Sequence, residues 1–498
     1  MDLNLPEVEL LGIAPEIALV VGALFILIVD AIIGDGRNKW HLWVLSTIAL
    51  GVSIFLAVQA WGTNELQMGD MIAVDGFATF VKITLAVFAL LTVWLSRGYL
   101  HRDGIEESEF YSLLLFSVAG MMLMASAADL IMVFLALETF SLALYVLVGF
   151  RRTSLTGQES AMKYFLLGAF SSTFFLLGIA LVYGAIGSTQ MYGSEREGAS
   201  VQGIATTLTS LPAEDFTLLV IATGLLIVGL GFKVAAVPFH MWTPDAYQGA
   251  PSPVTGFMAA ATKLAGFAAL IRLLAAILFP LRGDWRPLVI GIAVLTMVVG
   301  SILAVVQEDL KRLLAYSSIA HAGFVFTGII ASNDRGVSGS LFYLATYGIT
   351  VLGAFAVIAL IGGRDERRTK VDDFRGLFYE SPLLAGALTL FLLSLAGVPA
   401  TVGFVGKLVV FGAAVEAGYT WLVVVGVLAS AVAAFFYLKV LVVMYMQEKE
   451  AGAEPVGAGS SLSTGVIGLA ALATVALGLY WSPLIDFAEQ ATIFFSAR

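Results

Sequence analysis

The chain has 498 residues, 59% hydrophobic and 12% charged, with a mean hydropathy of +0.94. An ordinary soluble domain carries roughly 25% charged residues, so a water-soluble globule is excluded. Cysteine is absent and histidine occurs four times, which rules out thiolate-held iron–sulfur clusters, thiolate zinc sites and disulfides on this chain and leaves too few axial ligands for several haems. The net charge of −10 and the lack of a Gly-rich phosphate loop argue against nucleic-acid and nucleotide partners.

Apolar windows long enough to cross a hydrocarbon core predict an all-α polytopic membrane protein of about fourteen transmembrane helices. They centre near residues 22, 51, 84, 118, 140, 172, 226, 266, 297, 322, 350, 396, 433 and 471. The first, Leu11 to Ile33, has no basic leader or cleavage site and reads as a retained helix. Residues 1–108 then hold three spans, 109–280 five, 281–450 five, and 451–498 the last. The polar stretch from Gly187 to Asp215 reads as an external loop.

Fourteen Lys and Arg fall in loops after odd-numbered spans, among them Arg37, Lys39, Arg152, Lys311, Arg375 and Lys449. Only five, Arg196, Arg282, Arg286, Arg335 and Arg498, fall in the others. By the positive-inside rule the odd loops are cytoplasmic and both termini lie outside.

A faint internal repeat lays Asp129-Leu130 onward over Asp309-Leu310 onward. Each copy leads into a Gly/Pro-interrupted segment, at Pro238 and at Pro399. Five spans separate matched features, so the copies enter the membrane from opposite sides. Two inverted five-helix repeats with one broken helix each are the architecture of ion and proton transporters.

Seven basic residues fall inside predicted spans: Lys82, Lys163, Lys233, Lys263, Arg272, Lys407 and Lys439. Each central one costs about 2.5–3.5 kcal/mol to insert and needs partners or water. Lys82 and Lys439 can snorkel, and Arg272 either anchors its helix or helps a proton leave. Glu138 is mid-span, too short to snorkel, and is either an ion-path carboxylate or half of a structural ion pair.

Lys233 precedes a break enforced by Pro238, Pro244, Pro251 and Pro253. Desolvation brings lysine proton exchange toward neutral pH, and a carboxylate about 7 Å away restores ~2 kcal/mol at an effective dielectric near 20. Glu138 can serve as that carboxylate, Lys407 stands beside the second break, and Lys263 would relay between them. His240 and His321 either bridge the same water chain or close helix–helix hydrogen bonds, and the hydroxyls of Tyr316, Ser317 and Ser318 read as packing features.

The strings around Leu137-Glu138, Met162-Lys163-Tyr164, Phe232-Lys233 to Pro253, Leu314 to Gly323, and Gly397 to Lys407 closely resemble the antiporter-like proton-pumping membrane subunits of bacterial respiratory complex I, across most of the chain. Lys263 where relatives carry His, Lys407 where they carry Glu, the Lys163 string and the lack of a long amphipathic C-terminal helix separate it from that family's M and L branches. The resemblance implies that helices 7 and 12 are the broken ones. It implies that Glu138 and Lys233 form a switchable pair, that Lys263 relays and that Lys407 faces the exit or a neighbouring subunit. Lys163, His240 and Tyr316 are implied to support the path.

The resemblance further implies no cofactor on this chain, with NADH, FMN, iron–sulfur clusters and quinone on partner subunits. The partners would be antiporter-like subunit M, small subunits such as K and J, and the lipid bilayer of the bacterial cytoplasmic membrane. Two other functions share these motifs: an Mrp-type cation/proton antiporter subunit, and a structural subunit of a related hydrogenase or ferredoxin-linked complex.

Topology is directly testable. Reporter fusions after Lys39, Arg152 and Arg375 are expected to report the cytoplasm and a C-terminal fusion the outside; a cytoplasmic C-terminus would mean a miscounted span.

Overall fold

The computed structural model describes residues 10–34, 39–196, 199–208, 212–448 and 460–494. Arg37, Lys449 and Arg498 from the loop count, and residues 451–459 of the last segment, lie outside these. Thirteen helical stretches are long and apolar enough to cross a membrane. The fourteenth crossing is divided into two fifteen-residue helices.

In chain order the helices are α1 Ala14–Ile33, α2 Trp40–Gln59, α3 Gly76–Asp103, α4 Ser108–Ser126, α5 Leu130–Val148 and α6 Leu155–Ile186. Next come α7 Ala213–Lys233, the short α8 Trp242–Gly249, and α9 Ser252–Ile277, which includes π-helical turns at Met258–Thr262 and Ile271–Ile277. They are followed by α10 Arg282–Val305, α11 Leu310–Ala331, α12 Asp334–Ile361, α13 Pro382–Ala396, α14 Val402–Glu416, α15 Thr420–Met446, α16 Ser461–Leu479 and α17 Ser482–Glu489. Two short antiparallel hairpins, β1 Glu65–Gln67 with β2 Ile72–Val74 and β3 Ser194–Arg196 with β4 Ala199–Val201, decorate loops. Burial is uneven: α9, α11 and α12 are almost wholly enclosed, while α1, α15 and α16 expose most of their apolar surface.

The first break separates α7 from α8. Pro238 has no N–H to donate, its bond to Val237 is cis, and Ala235 takes a left-handed φ of 61°. The freed groups find partners: Trp242 Nε1 donates to the Phe232 carbonyl at 2.9 Å, and Val237 N donates to Thr296 Oγ1 at 3.0 Å. The second break separates α13 from α14, with Gly397 at φ 92° and Ala400 at 68°. There Gly403 N donates to Ser394 Oγ at 3.1 Å. The first break is mostly enclosed, Val234 to Val237 being buried, whereas Val398 to Ala400 of the second are exposed on this chain.

The stretches matched in the sequence share structural detail. Asp129 caps α5 by accepting from Ile131 N, and Asp309 caps α11 by accepting from Arg312 N. Asp129 Oδ2 also accepts from the Thr189 hydroxyl at 2.8 Å, and Asp309 Oδ2 from Thr369 at 2.6 Å. A Cβ at Gly120 would fall 2.8 Å from Phe140 N, and one at Gly300 2.6 Å from Ala320 N. Each pair is displaced by the same 180 residues.

Ion pairs between segments agree with the span count. Lys39 meets Glu107, Arg151 meets Asp103 at 2.6 Å, Arg312 meets Asp245 at 2.6 Å and Lys311 meets Glu366 at 2.7 Å, all at the end that carries most basic residues. Arg335 meets Glu416 at the opposite end. Lys311, counted above as a loop residue, is in α11 and its side chain is fully buried.

Two intramembrane cations serve architecture. Lys82 does not snorkel: it is buried, 2.8 Å from Glu16, and donates to the Gly12 carbonyl at 2.7 Å. Arg272 grips both oxygens of Asp75 at 2.8 and 3.0 Å and donates to the Ala125 carbonyl and the Tyr192 hydroxyl, each at 3.0 Å. Phe494 N closes the knot on Asp75 at 2.9 Å. Arg272 thus ties α9 to α3, α4 and the C-terminal segment, which is the anchoring role.

Removing one partner of such a pair leaves the other charge buried and uncompensated. Arg272→Met is expected to destabilise the chain by about 3–5 kcal/mol, with Arg272→Met/Asp75→Leu recovering part of that loss. Thermal unfolding of the detergent-solubilised protein checks both; equal losses in the single and double variants would show that the pair is not the source of the stability.

Candidate functional site

Glu138 lies mid-way along α5, half-buried, and accepts a hydrogen bond from Ser172 of α6. One turn further on, Ser141 accepts from Lys233 Nζ at 2.7 Å. Residues three apart share a helix face, so the carboxylate and the lysine look onto the same side of α5 without direct contact; the Ser141 hydroxyl that holds Lys233 itself donates to the Leu137 carbonyl. Lys233 is 2% exposed and surrounded by the rings of Phe140, Tyr145, Tyr164 and Phe232, with Nζ 5.4–5.6 Å from each centroid. Those faces attract a cation without taking its proton.

Lys233 closes α7 at the break. Val234, next to it, offers its carbonyl to Lys263 Nζ at 3.2 Å, and Ser318 of α11 offers a second. The π-helical turn at Met258–Thr262 immediately precedes Lys263; such turns shift the facing of later residues and recur at functional sites.

One turn beyond Ser318 along α11 is His321, buried, with Nδ1 2.7 Å from the Tyr343 hydroxyl and Nε2 3.4 Å from that of Tyr437. Tyr437 also shares a hydrogen bond with Ser317. A cavity of about 10 Å³, near the least that holds one water, is lined by His321, Tyr343, Tyr347, Ser394 and Leu395 among others. The carbonyls of Leu395 and Ala396, freed where α13 ends, accept from Lys407 Nζ at 3.0 and 2.8 Å.

The structure therefore places the half-buried Glu138 at one end of a succession of buried polar groups, Lys233, Lys263, His321 and Lys407. Lys163, His240 and Tyr316 stand apart from it. Lys163 is exposed and paired with Glu159 at 2.7 Å and Asp245 at 3.0 Å, where it braces α6 against α8. His240 is half-buried within the first break, and Tyr316 is half-buried on α11 beside Gly300 of α10.

Sequence reading missed Ser141, Tyr343 and Tyr437 and took Ser317 and Ser318 as packing. Ser141 was findable, being three residues from Glu138. The tyrosines carried no local signal, since their partner His321 lies 22 and 116 residues away. Among the described residues no group of three His, Asp or Glu could hold a metal ion.

A family model described as NADH:quinone oxidoreductase/Mrp antiporter, TM, matches residues 127–433. NADH-quinone oxidoreductase subunit N of Trichlorobacter lovleyi is 42% identical over 495 residues, with 99% of each chain covered. In solved structures, a chain of respiratory complex I from Thermus thermophilus with bound aureothin is 33% identical at TM-score 0.79, covering 95% of this chain and 99% of that one. A chain of the Mrp complex from Dietzia sp. shares the fold at TM-score 0.83, with 21% identity and 98% of each chain covered. The chain belongs to the antiporter-like transmembrane family of NADH:quinone oxidoreductases and Mrp antiporters, in its subunit N branch.

Proposed function

We propose that this chain is the antiporter-like, proton-translocating membrane subunit N of an NADH:quinone oxidoreductase. It carries no redox centre; NADH, FMN, iron–sulfur clusters and quinone belong to partner chains, and quinone reduction there drives proton movement here. The observation that carries this reading is the buried sequence Glu138, Ser141, Lys233, Lys263, His321 and Lys407, with lysines seated on the carbonyl ends of two broken helices.

The Glu138 carboxylate acts on Lys233 through space, while Ser141 fixes the position of the ammonium. When Glu138 loses its hold, the Lys233 proton passes to Lys263, then by His321 and the tyrosine hydroxyls to Lys407. Two inverted five-helix repeats, at 109–280 and 281–450, account for the 180-residue displacement of the Asp–Thr contacts and the close glycines. Span parity and the loop charges favour both termini on the periplasmic side of a bacterial cytoplasmic membrane. Antiporter-like subunit M and small subunits such as K and J are the expected neighbours. Lys163, His240 and Tyr316 are placed in supporting roles, Lys163 through α8. The Mrp antiporter reading shares the family model and the fold, but the 42% identity to subunit N favours the first.

Charge retention separates relays from anchors. Lys233→Arg keeps its charge but stays protonated, so its coupled pumping is expected to fall nearly as far as in Lys233→Met, and Lys407→Arg likewise. Lys439→Arg, at an exposed site on α15, is expected to be near neutral. Proton pumping and NADH:quinone activity at matched levels of assembled complex decide; wild-type pumping in both Lys233→Arg and Lys407→Arg would leave the chain a charged scaffold. Ser141→Ala is expected to slow coupled turnover by about tenfold while Ser141→Thr retains it, as removal of one hydrogen bond to a charged group costs roughly 1.5–3 kcal/mol. Unchanged turnover in Ser141→Ala would remove the serine from the link.

A further inference from the structure

A second buried charge cluster lies outside this sequence, at the basic end of the bundle. Glu366, in the segment joining α12 to α13, is 7% exposed and sits 2.7 Å from Lys311, whose side chain is fully buried. Glu366 also accepts from Ser252 N at 2.6 Å, at the start of α9, and Lys311 donates to the Ala250 carbonyl at 2.6 Å. Arg151 faces the same carboxylate from the α5–α6 turn and Tyr99 from α3.

The backbone is bent to make this contact. Asp365 and Glu366 take successive left-handed φ values of 59° and 50°, unfavourable for residues with a Cβ and held only where the surroundings demand it. A helix start needs no buried ion pair, because any short oxygen-bearing side chain caps it. Desolvation also makes such a pair weak support for stability.

The cluster points inward. Lys311 and Ser318 lie two turns apart on one face of α11, and the Ser318 carbonyl holds Lys263. Between them lie several buried hydroxyls: that of Ser252 has no hydrogen-bond partner among the described residues, and those of Tyr247 and Tyr347 face Ser318. Thr255 Oγ1 donates to the Tyr247 carbonyl at 3.0 Å, bringing the start of α9 against α8. Unpaired buried hydroxyls are the positions where water is retained in protein interiors. On the other side Asp365 and Arg367 are 46% and 83% exposed, so the cluster borders solvent.

We infer that Glu366, with Lys311 as its counter-ion, is the proton inlet that supplies Lys263 by way of the hydroxyls of Ser252, Tyr247 and Ser318. This rests on the proton-translocating reading above and adds its point of supply. The carboxylate takes a proton from water at the surface. The resulting acid releases it inward, and the neutral amine of Lys263 gains it to become an ammonium while the carboxylate is restored. Burial pushes the Glu366 carboxyl up, but Lys311, the Ser252 N–H and Arg151 outweigh this and hold it below its ordinary value. It therefore loads when Lys311 is drawn away.

The test is Glu366→Gln in the intact complex, since Gln keeps the side chain's shape and one acceptor oxygen but cannot carry the proton. Proton pumping and NADH:quinone turnover in proteoliposomes are expected to fall about tenfold at pH 8, less at pH 6 where hydronium is abundant, and to return in Glu366→Asp. A wild-type rate and pH profile in Glu366→Gln would overturn the inlet. If Glu366→Gln does not assemble, Tyr247→Phe is measured in its place and is expected to show the same pH-dependent loss; unchanged pumping there also overturns it. The underlying reading fails separately: if Lys233→Arg and Lys407→Arg pump normally, no inlet is needed, whereas if they fail while Glu366→Gln is normal, only the inlet is wrong.

Discussion

The interaction on which the rest depends is between lysine ammonium groups and the open carbonyl ends of two broken helices. A helix C-terminus carries unpaired carbonyls and a partial negative charge. Breaking α7 and α13 part-way along their crossings creates two such ends beside buried lysines. Lys407 comes after its break in sequence but folds back onto the end of α13, while Lys263 reaches across from α9 to the end of α7. Two hydrogen bonds to a charged group contribute roughly 1.5–3 kcal/mol each, enough to offset the ~2.5–3.5 kcal/mol cost of burying a lysine in the membrane. The prolines and glycines that disrupt the helices thereby make the charges tolerable.

Lys233 is held differently, and that difference suits a switch. It has one hydroxyl partner, Ser141, and four aromatic faces, where Lys263 and Lys407 each have two carbonyls. Glu138 lies one turn from Ser141 on α5, bonded to Ser172, and does not itself touch Lys233. Beyond it lie groups that can both donate and accept, His321 with Tyr343 and Tyr437, in contact with a cavity near the size of one water.

Around this axis the bundle is fastened at its ends. The Asp129–Thr189 and Asp309–Thr369 contacts each tie a helix start to a later loop, and the Arg272–Asp75 knot ties α9 to the C-terminal segment. Lys163, Asp245 and Arg312 hold α8 against α6 and α11. These contacts leave the central charges unpaired with one another while fixing the helices that carry them.

The sequence by itself determined the class of protein, its apolar crossings and the proline- and glycine-marked interruptions. Length of apolar run, proline chemistry and the cost of an intramembrane charge are local properties, and each leaves a mark within about twenty residues. It also showed Asp129 and Asp309 as matched starts. What only the tertiary structure decided is which polar group meets which. Lys82 looked free to snorkel and is enclosed with Glu16; Lys163, inside a predicted span, is exposed and pairs with Asp245; Lys311 was counted as a loop charge and is buried. Ser141, Tyr343 and Tyr437 entered the site only through contacts spanning 22 to 116 residues. A side chain's partner in a bundle is set by the rotation and depth of helices distant in sequence, and apolar periodicity is nearly blind to both when a helix is hydrophobic on every face.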